Sequence, residues 1–262
     1  MKTCFISTMN QKLYREYGLN FINEFIEYAN QDIDLIILFE GEIPNDLKIT
    51  SHKNLLIKEL KHLKHEKFIN YYKNLYEANG VKVKLVPQAN GEKKIELISD
   101  YRFNAIKFSF KPFAIHQAFL EFGDHYDYLI WTDADLRCKK EFSYTDLKPF
   151  LPNDGQYLSI LQRENNHSEC GFLGFNLNKS LTTKFMSRVI EIYTSGEIFS
   201  LKGWTDCHVF DSVIEEFGLE SLKIRNISGE GFKSDHPFIH SGLENFFDHL
   251  KGPVRKKKGT SF

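Results

Sequence analysis

Short apolar runs recur along the chain, separated by segments in which apolar residues are spaced three or four positions apart. The runs are rich in β-branched and aromatic residues, and polar residues or glycine close them, a pattern typical of buried strands. One run, VKVKLV, instead alternates apolar and charged residues, as a half-buried strand does. Strands are therefore predicted at CFIST (4–8), DLIILFEG (34–41), VKVKLV (81–86), YDYLIWT (126–132), QYLSILQ (156–162), CGFLGFNL (170–177) and LKIRNIS (222–228).

The spacing between these runs is that of helices. In YGLNFINEFIEYA, for example, Leu19, Ile22, Phe25 and Ala29 fall three or four positions apart. Pro112, inside another such segment, is expected either to kink a helix or to begin a new one. Helices are predicted at 17–29, roughly 52–79, about 103–122, 181–195 and 206–218.

Strands that alternate with helices predict an α/β fold with a mostly parallel central sheet flanked by helices. No repeat or low-complexity linker divides the sequence, and residues 1–262 are expected to form a single domain.

Composition narrows the function classes. The net charge of −1 argues against a general nucleic-acid binder, which needs a positive excess. No apolar stretch approaches the roughly 20 residues of a membrane helix, and the first residues are too short for a signal-peptide core. The cysteines, Cys4, Cys138, Cys170 and Cys207, form no CxxC pair, which favours reduced thiols in a cytoplasmic protein.

A D-x-D pattern occurs twice, at opposite ends of predicted strands. Asp32 and Asp34 precede an apolar run, and we assign them to a solvated turn at the start of the strand. Asp133 and Asp135 follow an apolar run and so lie at the carboxyl end of a strand, the edge where open α/β sheets bind ligands.

Two carboxylates this close repel each other unless a cation lies between them or one is protonated. Oxygen ligands suit a hard ion such as Mg²⁺ or Mn²⁺, which commonly brings substrate phosphates. The simpler alternative is an exposed turn in which water, Lys139 and Lys140 screen the charge.

Four segments, in this order along the chain, resemble one enzyme family. YLIWTDADLRC resembles the strand and DxD signature of GT-A-type glycosyltransferases, which use nucleotide-sugar donors. ECGFLGFNL and GWTDCHVFDSVI resemble the family's acceptor-side strand and a later acidic motif before a helix. HLKGPVRK resembles the H-x-x-G-x-x-K closing motif of the glycogenin-like and lipopolysaccharide galactosyltransferase-like retaining branch, with His249, Gly252 and Arg255 at its three positions and Arg replacing Lys.

The resemblance implies a metal site in which His249 joins Asp133 and Asp135, although His240 is a rival third ligand. An imidazole ligand favours Mn²⁺ over Mg²⁺. Lys251, Gly252 and Arg255 would bind the donor diphosphate, so that a basic tail of about residues 251–262 closes over the donor site.

Other donor contacts are expected at strand ends and on the helix before the DxD strand. In this family the end of the first strand seats the nucleotide base. Ala134, between the two acids, is small enough to let a donor lie close. A basic residue on the preceding helix commonly faces the donor; among Arg102, Lys107 and Lys111 we prefer Lys107. The predicted donor-binding residues are Ser7, Thr8, Met9, Glu40, Lys107 and Ala134.

Catalysis requires a carboxylate near the sugar, to stabilise the cationic carbon or to remove the acceptor's proton. Asp206 matches an acidic position of the family, but Cys207 follows it where the family usually has an amide, and Asp206 could instead cap the next helix. Glu169 is the second candidate, whereas Asp211 is expected to be structural.

The resemblance thus implies a metal-dependent transferase that moves a sugar, with retention, from a UDP-hexose to a glycan or other hydroxyl acceptor. One alternative is another metal-dependent sugar-nucleotide or phosphate enzyme, although a dehalogenase-type phosphatase expects Thr or Val where Arg137 stands. A second is an inactive glycan- or nucleotide-binding module on the same fold. The basic tail also leaves open a weak contact with a membrane surface.

Overall fold

The computed structural model describes residues 1–48, 52–88, 92–229 and 237–250. Within them the chain forms eleven strands, which are β1 Thr3–Met9, β2 Ile33–Phe39, β3 Leu55–Glu59, β4 Val81–Pro87, β5 Lys93–Ser99, β6 Tyr128–Thr132, β7 Leu136–Cys138, β8 Leu158–Leu161, β9 Glu169–Asn176, β10 Ile224–Asn226 and β11 Phe247–His249. The helices of the same residues are α1 Gln11–Leu13, α2 Leu19–Tyr28, α3 Asn45–Lys48, α4 Leu63–Tyr72, α5 Ala105–Phe122, α6 Tyr144–Leu147, α7 Ser180–Thr194 and α8 Asp206–Glu216.

Seven strands form one sheet in the order β10-β8-β9-β6-β1-β2-β3. Every neighbouring pair is parallel except those that involve β9, which runs antiparallel to β6 and to β8. The predicted α/β fold, with a mostly parallel sheet flanked by helices, is confirmed. Two small antiparallel sheets, β7 with β11 and β4 with β5, lie outside the main one.

The central strands are buried on both faces, and alternate side chains enter two separate cores. Along β1, Cys4 and Ile6 join a core with α5, α7 and α8, whereas Phe5 and Met9 join the core on the opposite face with α2. A strand buried on both faces reads as a continuous apolar run, which is why β1, β2 and β6 are evident in the sequence.

The predicted helix over 52–79 is wrong, because β3 and α4 share that stretch. β3 is the last strand of the sheet and its residues alternate between half-buried and exposed, so it carries charged residues. The leucines of β3 and those of α4 follow each other at a spacing that resembles the apolar face of one continuous helix. β5, β7 and β11 were not predicted; β5 is exposed throughout, and β7 and β11 have three residues each.

Pro112 neither ends a helix nor begins one, because α5 runs through it. A proline removes the backbone N–H that would bond the carbonyl four residues earlier. That carbonyl, of Phe108, instead accepts a hydrogen bond from the hydroxyl of Tyr193 on α7 at 3.4 Å.

The first D-x-D pair is only partly in the predicted turn. Asp32 is exposed in a turn, but Asp34 lies inside β2. Its carboxylate accepts hydrogen bonds from the hydroxyl of Tyr126 at 2.8 Å and from the side-chain amide of Asn54 at 3.1 Å. Asp34 therefore fastens the beginning of a strand.

The longest helix of the described ranges, α5, carries three charged residues among its eighteen. Neither α5 nor any other helix in the described part of the chain has the length and apolar character to cross a bilayer.

Candidate active site

The second D-x-D pair begins where β6 ends, in the middle of the sheet. The backbone N–H of Asp133 donates to the carbonyl of Gly171 on β9 at 3.2 Å, and that of Leu136 donates back to Asp133 at 3.1 Å. These bonds turn the chain directly after the strand and keep both carboxylates at its carboxyl end.

A ribbon of two very short strands brings a distant histidine to this turn. β7, directly after the diacid, pairs with β11 so that Leu136 lies opposite His249, and the N–H of Leu250 donates to the carbonyl of Asp135. The His249 Nε2 atom lies 3.2 Å from Asp135 Oδ1 and 3.8 Å from Asp133 Oδ2. The ring is 2% exposed.

Gly171 makes room for that ring. A Cβ atom at this position would lie 2.5 Å from His249 Cε1, closer than side-chain carbons approach one another. The first glycine of ECGFLGFNL, Gly171, is therefore required by the packing of His249 against β9.

Asp133, Asp135 and His249 each place one ligand atom within 4.8 Å of the other two. Two carboxylates and an imidazole form a donor set that fits Mn²⁺. The set also fits Mg²⁺, although Mg²⁺ prefers oxygen ligands to the imidazole nitrogen. Burial lowers the pKa of His249, but its hydrogen bond to Asp135 and the charges of Asp135 and Asp133 outweigh it and raise that pKa above the ordinary value. The imidazole therefore faces a strongly negative site, which is what a cation requires.

Lys111 connects this group to a third acidic residue, Asp206. Its Nζ lies 2.8 Å from Asp133 Oδ1 and 2.6 Å from Asp206 Oδ2, and it donates to the carbonyl of Cys170 at 2.9 Å. Burial lowers the pKa of Lys111, but the charges of Asp133 and Asp206 outweigh it and raise that pKa well above the ordinary value. A charged ammonium thus bridges the two acids.

Trp131, the residue before Thr132 in β6, also holds Asp133. Its indole N–H donates to Asp133 Oδ1 at 2.9 Å, while the ring, 2% exposed, packs in the core. Lys111 and Trp131 both hold Oδ1, so Oδ2 is the oxygen turned toward His249. Such outer partners fix the orientation of a metal-binding carboxylate.

Asp206 is the first residue of α8 and is 2% exposed. The cap of that helix is Thr205, whose hydroxyl accepts from the N–H of His208. The positive end of the helix dipole favours a carboxylate at this position. Asp206 is thus held by the helix end and by Lys111. The residue that caps α8 is Thr205 and not Asp206.

Glu169 and Asp211 flank the same region from β9 and α8. Glu169 is 2% exposed, and its Oε1 accepts from the N–H of Gly171 at 3.1 Å. Asp211 accepts from the N–H and hydroxyl of Ser168 at 2.8 and 2.6 Å, and burial raises its pKa. Asp211 therefore ties α8 to β9, in keeping with the structural role expected from the sequence.

Two thiols accompany Asp206. The sulfur atoms of Cys170 and Cys207 and an oxygen of Asp206 lie within 4.8 Å of one another. Burial raises the pKa of Cys170 well above its usual value, so its thiol is neutral. Because the ammonium of Lys111 already supplies the positive charge beside Asp206, we assign the metal site to the diacid and His249.

These residues surround one cavity of about 380 Å³. Its lining includes the diacid, Trp131, His249, Glu169 and Asp206. The remaining lining comes from strand ends, from α1, α5 and α8, and from the segments before α5, α8 and β9. It comprises Thr8, Leu13, Glu40, Tyr101, Lys107, Phe108, Phe110, Lys111, Ala134, His167, Thr205 and Cys207.

The predicted donor residues divide into three groups. Thr8, Glu40, Lys107 and Ala134 line this cavity. Ser7 and Met9 are fully buried in β1 and are not part of its lining. Lys251, Gly252 and Arg255, with the rest of the basic tail, lie outside the described residues.

Glu40 is unusual among the lining residues because burial raises the pKa of its carboxyl to about 7, against the opposing hydrogen bonds of Asn10 and Thr8. The side-chain amide of Asn10 donates to Glu40 Oε2 at 3.3 Å. This carboxyl therefore titrates near neutral pH rather than in the acidic range usual for glutamate.

Sequence reasoning preferred Lys107, which lines the cavity, and passed over Lys111, which contacts the acids. Both lie on one face of α5, four residues apart, so their spacing could not rank them. It also missed Tyr101, Thr205 and His167 as lining residues. The position of Thr205 just before an acidic helix start was the one available signal, because threonine there is typical of a helix cap.

Comparisons with known proteins identify the fold. No family model matches the sequence, and no curated protein matches it. Among solved structures, the apo crystal structure of mouse xyloside xylosyltransferase 1 is similar with a TM-score of 0.50 at 11% identity, over 86% of this chain and 85% of that one. The apo structure of the bifunctional glycosyltransferase WbbM is similar with a TM-score of 0.54 at 10% identity, over 96% of this chain but 46% of that one. At such identities the likeness shows the fold alone, which this chain shares with two proteins named as glycosyltransferases.

Proposed function

We propose that this protein is a metal-dependent glycosyltransferase that moves a sugar from a nucleotide-sugar donor, a UDP-hexose, to a hydroxyl of a glycan or similar acceptor. The observation that carries the proposal is the meeting of Asp133, Asp135 and His249 in one cavity with Lys111 and Asp206. The fold supports it, since both similar structures are glycosyltransferases by name.

In this proposal Asp133, Asp135 and His249 hold Mn²⁺ or Mg²⁺. The ion, when bound, supplies positive charge for the diphosphate leaving group. Trp131 and Lys111 keep Asp133 in the orientation that turns its Oδ2 toward His249.

Transfer builds positive charge at the anomeric carbon and negative charge on the departing diphosphate. Asp206 is the proposed stabiliser of the cationic carbon, because its buried carboxylate lines the same cavity as the diacid. Glu169 is the second candidate, as base toward the acceptor hydroxyl. Lys111, poised between Asp133 and Asp206, supplies a buried positive charge to the side where the diphosphate leaves.

Donor recognition is proposed at the ends of β1 and β2. Thr8 and Glu40 would contact the base or ribose, Lys107 the phosphates, and Ala134 would let the donor lie against the diacid. Ser7 and Met9 would support this pocket from within β1. From the sequence motif, we further propose that Lys251, Gly252 and Arg255 close over the diphosphate, and that transfer proceeds with retention.

Domain organisation and cellular site are parts of the same proposal. Residues 1–262 would act as one catalytic domain. The four cysteines are free thiols, and three of them are buried, which suits the reducing cytoplasm.

The test is hydrolysis and transfer with a panel of nucleotide sugars in Mn²⁺, in Mg²⁺ and in EDTA. We expect release of the nucleotide from a UDP-sugar that requires the metal and is lost in Asp135→Asn. Asp34→Asn, the same substitution in the other D-x-D pair, should keep it. Sugar binding that EDTA leaves unchanged, without turnover of any donor, would reject the enzyme in favour of a binding module.

Retention has a separate readout. Proton NMR of the first product should show the anomeric configuration of the donor, and an inverted product would refute this part of the proposal while leaving the transferase activity intact.

A further inference from the structure

The hairpin of β4 and β5 differs from every other strand pair of the described chain in having both faces exposed. The two strands pair only with each other, with Val83 opposite Leu97 and Leu85 opposite Ile95. These four side chains lie on one face, because alternate residues of a strand share a face. Their exposed fractions are 49%, 59%, 57% and 62% in that order.

The opposite face is charged. It carries Lys82, Lys84 and Lys94, and Glu96, which lies across from Lys84 in the register. Val86 and Ile98 also lie on this face, and Lys93 lies on the aliphatic one. Over both strands, four lysines stand against one glutamate. The hairpin is therefore an amphipathic ribbon with an aliphatic face and a basic face.

An isolated two-stranded hairpin is marginally stable in water and gains stability when a surface covers its apolar face. Strands with a free outer edge and exposed apolar side chains also favour association, and soluble proteins usually avoid them. The aliphatic face is thus a candidate for burial against a partner.

Three occupants can be compared by charge and area. The tail after Leu250 is itself basic, with the run RKKK at 255–258, so it would meet a ribbon of like charge. A second copy of the chain would gain little, because four half-exposed aliphatic side chains fall well short of the roughly 800 Å² that each partner buries in a stable complex. A lipid surface has neither difficulty, since its core accepts the aliphatic face and its anionic headgroups attract lysines.

We propose that the β4–β5 hairpin docks this protein on an anionic lipid bilayer. The aliphatic face enters the boundary between headgroups and acyl chains, and the lysines of the other face remain at the level of the phosphates. This is how interfacial amphipathic elements lie in a bilayer.

The base of the hairpin adjoins the candidate active site. The N–H of Asp100 donates to the carbonyl of Gly80 at 2.7 Å, which closes the ribbon. The next residue, Tyr101, lines the cavity and is 66% exposed. A docked bilayer would therefore lie beside the mouth of the cavity. Tyrosine is favoured at such a boundary because it combines an apolar ring with a polar hydroxyl.

The test is co-sedimentation of the full chain with vesicles of phosphatidylglycerol and, separately, of phosphatidylcholine. We expect the protein to bind the anionic vesicles more tightly and to lose that preference in high salt. The double variant Leu85→Ser with Leu97→Ser should weaken binding at least about tenfold, because two leucine side chains no longer enter the lipid.

A matched control comes from two other exposed leucines. Leu219 and Leu222 are 84% and 78% exposed and lie outside the hairpin. Leu219→Ser with Leu222→Ser removes the same two side chains from the surface and should leave vesicle binding within about twofold.

A second variant guards against misfolding of the hairpin. Lys84→Ala with Lys94→Ala keeps the aliphatic face and should weaken binding to phosphatidylglycerol while reducing its salt dependence. The proposal is overturned if the wild-type chain does not sediment with anionic vesicles, or if the control pair loses as much binding as the hairpin pair. It is also overturned if sedimentation velocity shows a dimer that the Leu85→Ser, Leu97→Ser variant dissociates.

Discussion

The two D-x-D pairs of this chain have the same sequence pattern but lie at opposite ends of strands. Their surroundings show that position in the sheet decides whether such acidic residues are structural or line a cavity. Asp34, near the amino end of β2, is bonded by Tyr126 and Asn54, which are neutral partners. Asp133 and Asp135, at the carboxyl end of β6, meet His249, Lys111 and a cavity. Neutral donors fix the orientation of a carboxylate. A buried histidine and a lysine that line a cavity with the diacid could also bind a metal ion and a charged substrate.

The largest expected difference is between equivalent substitutions in the two pairs. Asp135→Asn should lower the metal-dependent turnover by about 10³-fold, because a neutral amide neither holds a divalent ion well nor balances its charge. Asp34→Asn should keep turnover within about twofold and lower the free energy of unfolding by about 1 kcal/mol, through its weakened hydrogen bonds. Steady-state kinetics and denaturant unfolding of the two variants measure both effects. Equal losses of activity would erase the distinction between the pairs.

A second comparison uses the two lysines of α5. Lys111→Met should lower turnover by about 10²-fold, since Asp133 loses its orienting partner and the leaving group loses a nearby charge. It should also lower the free energy of unfolding by about 3 kcal/mol, because Asp206 would remain buried without its cation.

Lys107→Met is the control, on the same helix face but exposed. Its effect should be under about tenfold and confined to the donor KM, as expected for an exposed phosphate contact. A larger loss in Lys107→Met than in Lys111→Met would reverse the ranking that the contacts give.

The hydrogen-bond donors to Asp133 and Asp34 allow a test in which a smaller effect is expected. Trp131→Phe removes the indole N–H that bonds Asp133 and should weaken Mn²⁺ binding by about tenfold. Tyr126→Phe removes the hydroxyl that bonds Asp34 and should leave Mn²⁺ binding unchanged. Calorimetric titration of both variants with Mn²⁺ measures this. Circular dichroism should show both chains folded, so that a common loss of affinity would count against an orienting role for Trp131.

The smallest effect concerns Glu40, at the end of the same strand that Asp34 helps to begin. Its pKa of about 7 means that the carboxyl is mainly neutral below this pH and mainly ionised above it. An added negative charge disfavours an anionic donor, so the donor KM should rise severalfold as the pH passes upward through 7. Glu40→Gln mimics the neutral acid and should flatten the profile. A wild-type KM that does not change between pH 6 and 8 would contradict it.

Sequence alone could reach the strands that are buried on both faces and the diacid that ends one of them. A short, continuous apolar run closed by polar residues is typical of such a strand, and position after a run distinguishes Asp133 and Asp135 from Asp32 and Asp34. The edge strand β3 was lost because half-exposed residues carry charges, and its leucines merged with those of α4.

The site was only partly accessible to such reasoning. A family motif pointed to His249, but its placement depends on a three-residue strand that no periodicity can reveal. The contacts of Lys111 could not be predicted for a similar reason. Spacing places Lys107 and Lys111 on one helix face, while the contacts to Asp133 and Asp206 depend on how deeply each turn of α5 packs against β6 and α8.

The ribbon that joins Phe247–His249 to the strand after the diacid has a consequence for the timing of activity. Every strand of the main sheet ends by Asn226, so these strands leave the ribosome before His249 does. The strands of the main sheet can therefore begin to pair while the imidazole that meets Asp135 is still inside the ribosome. In the proposed enzyme, the order of synthesis would leave the metal site incomplete until Phe247–His249 has emerged.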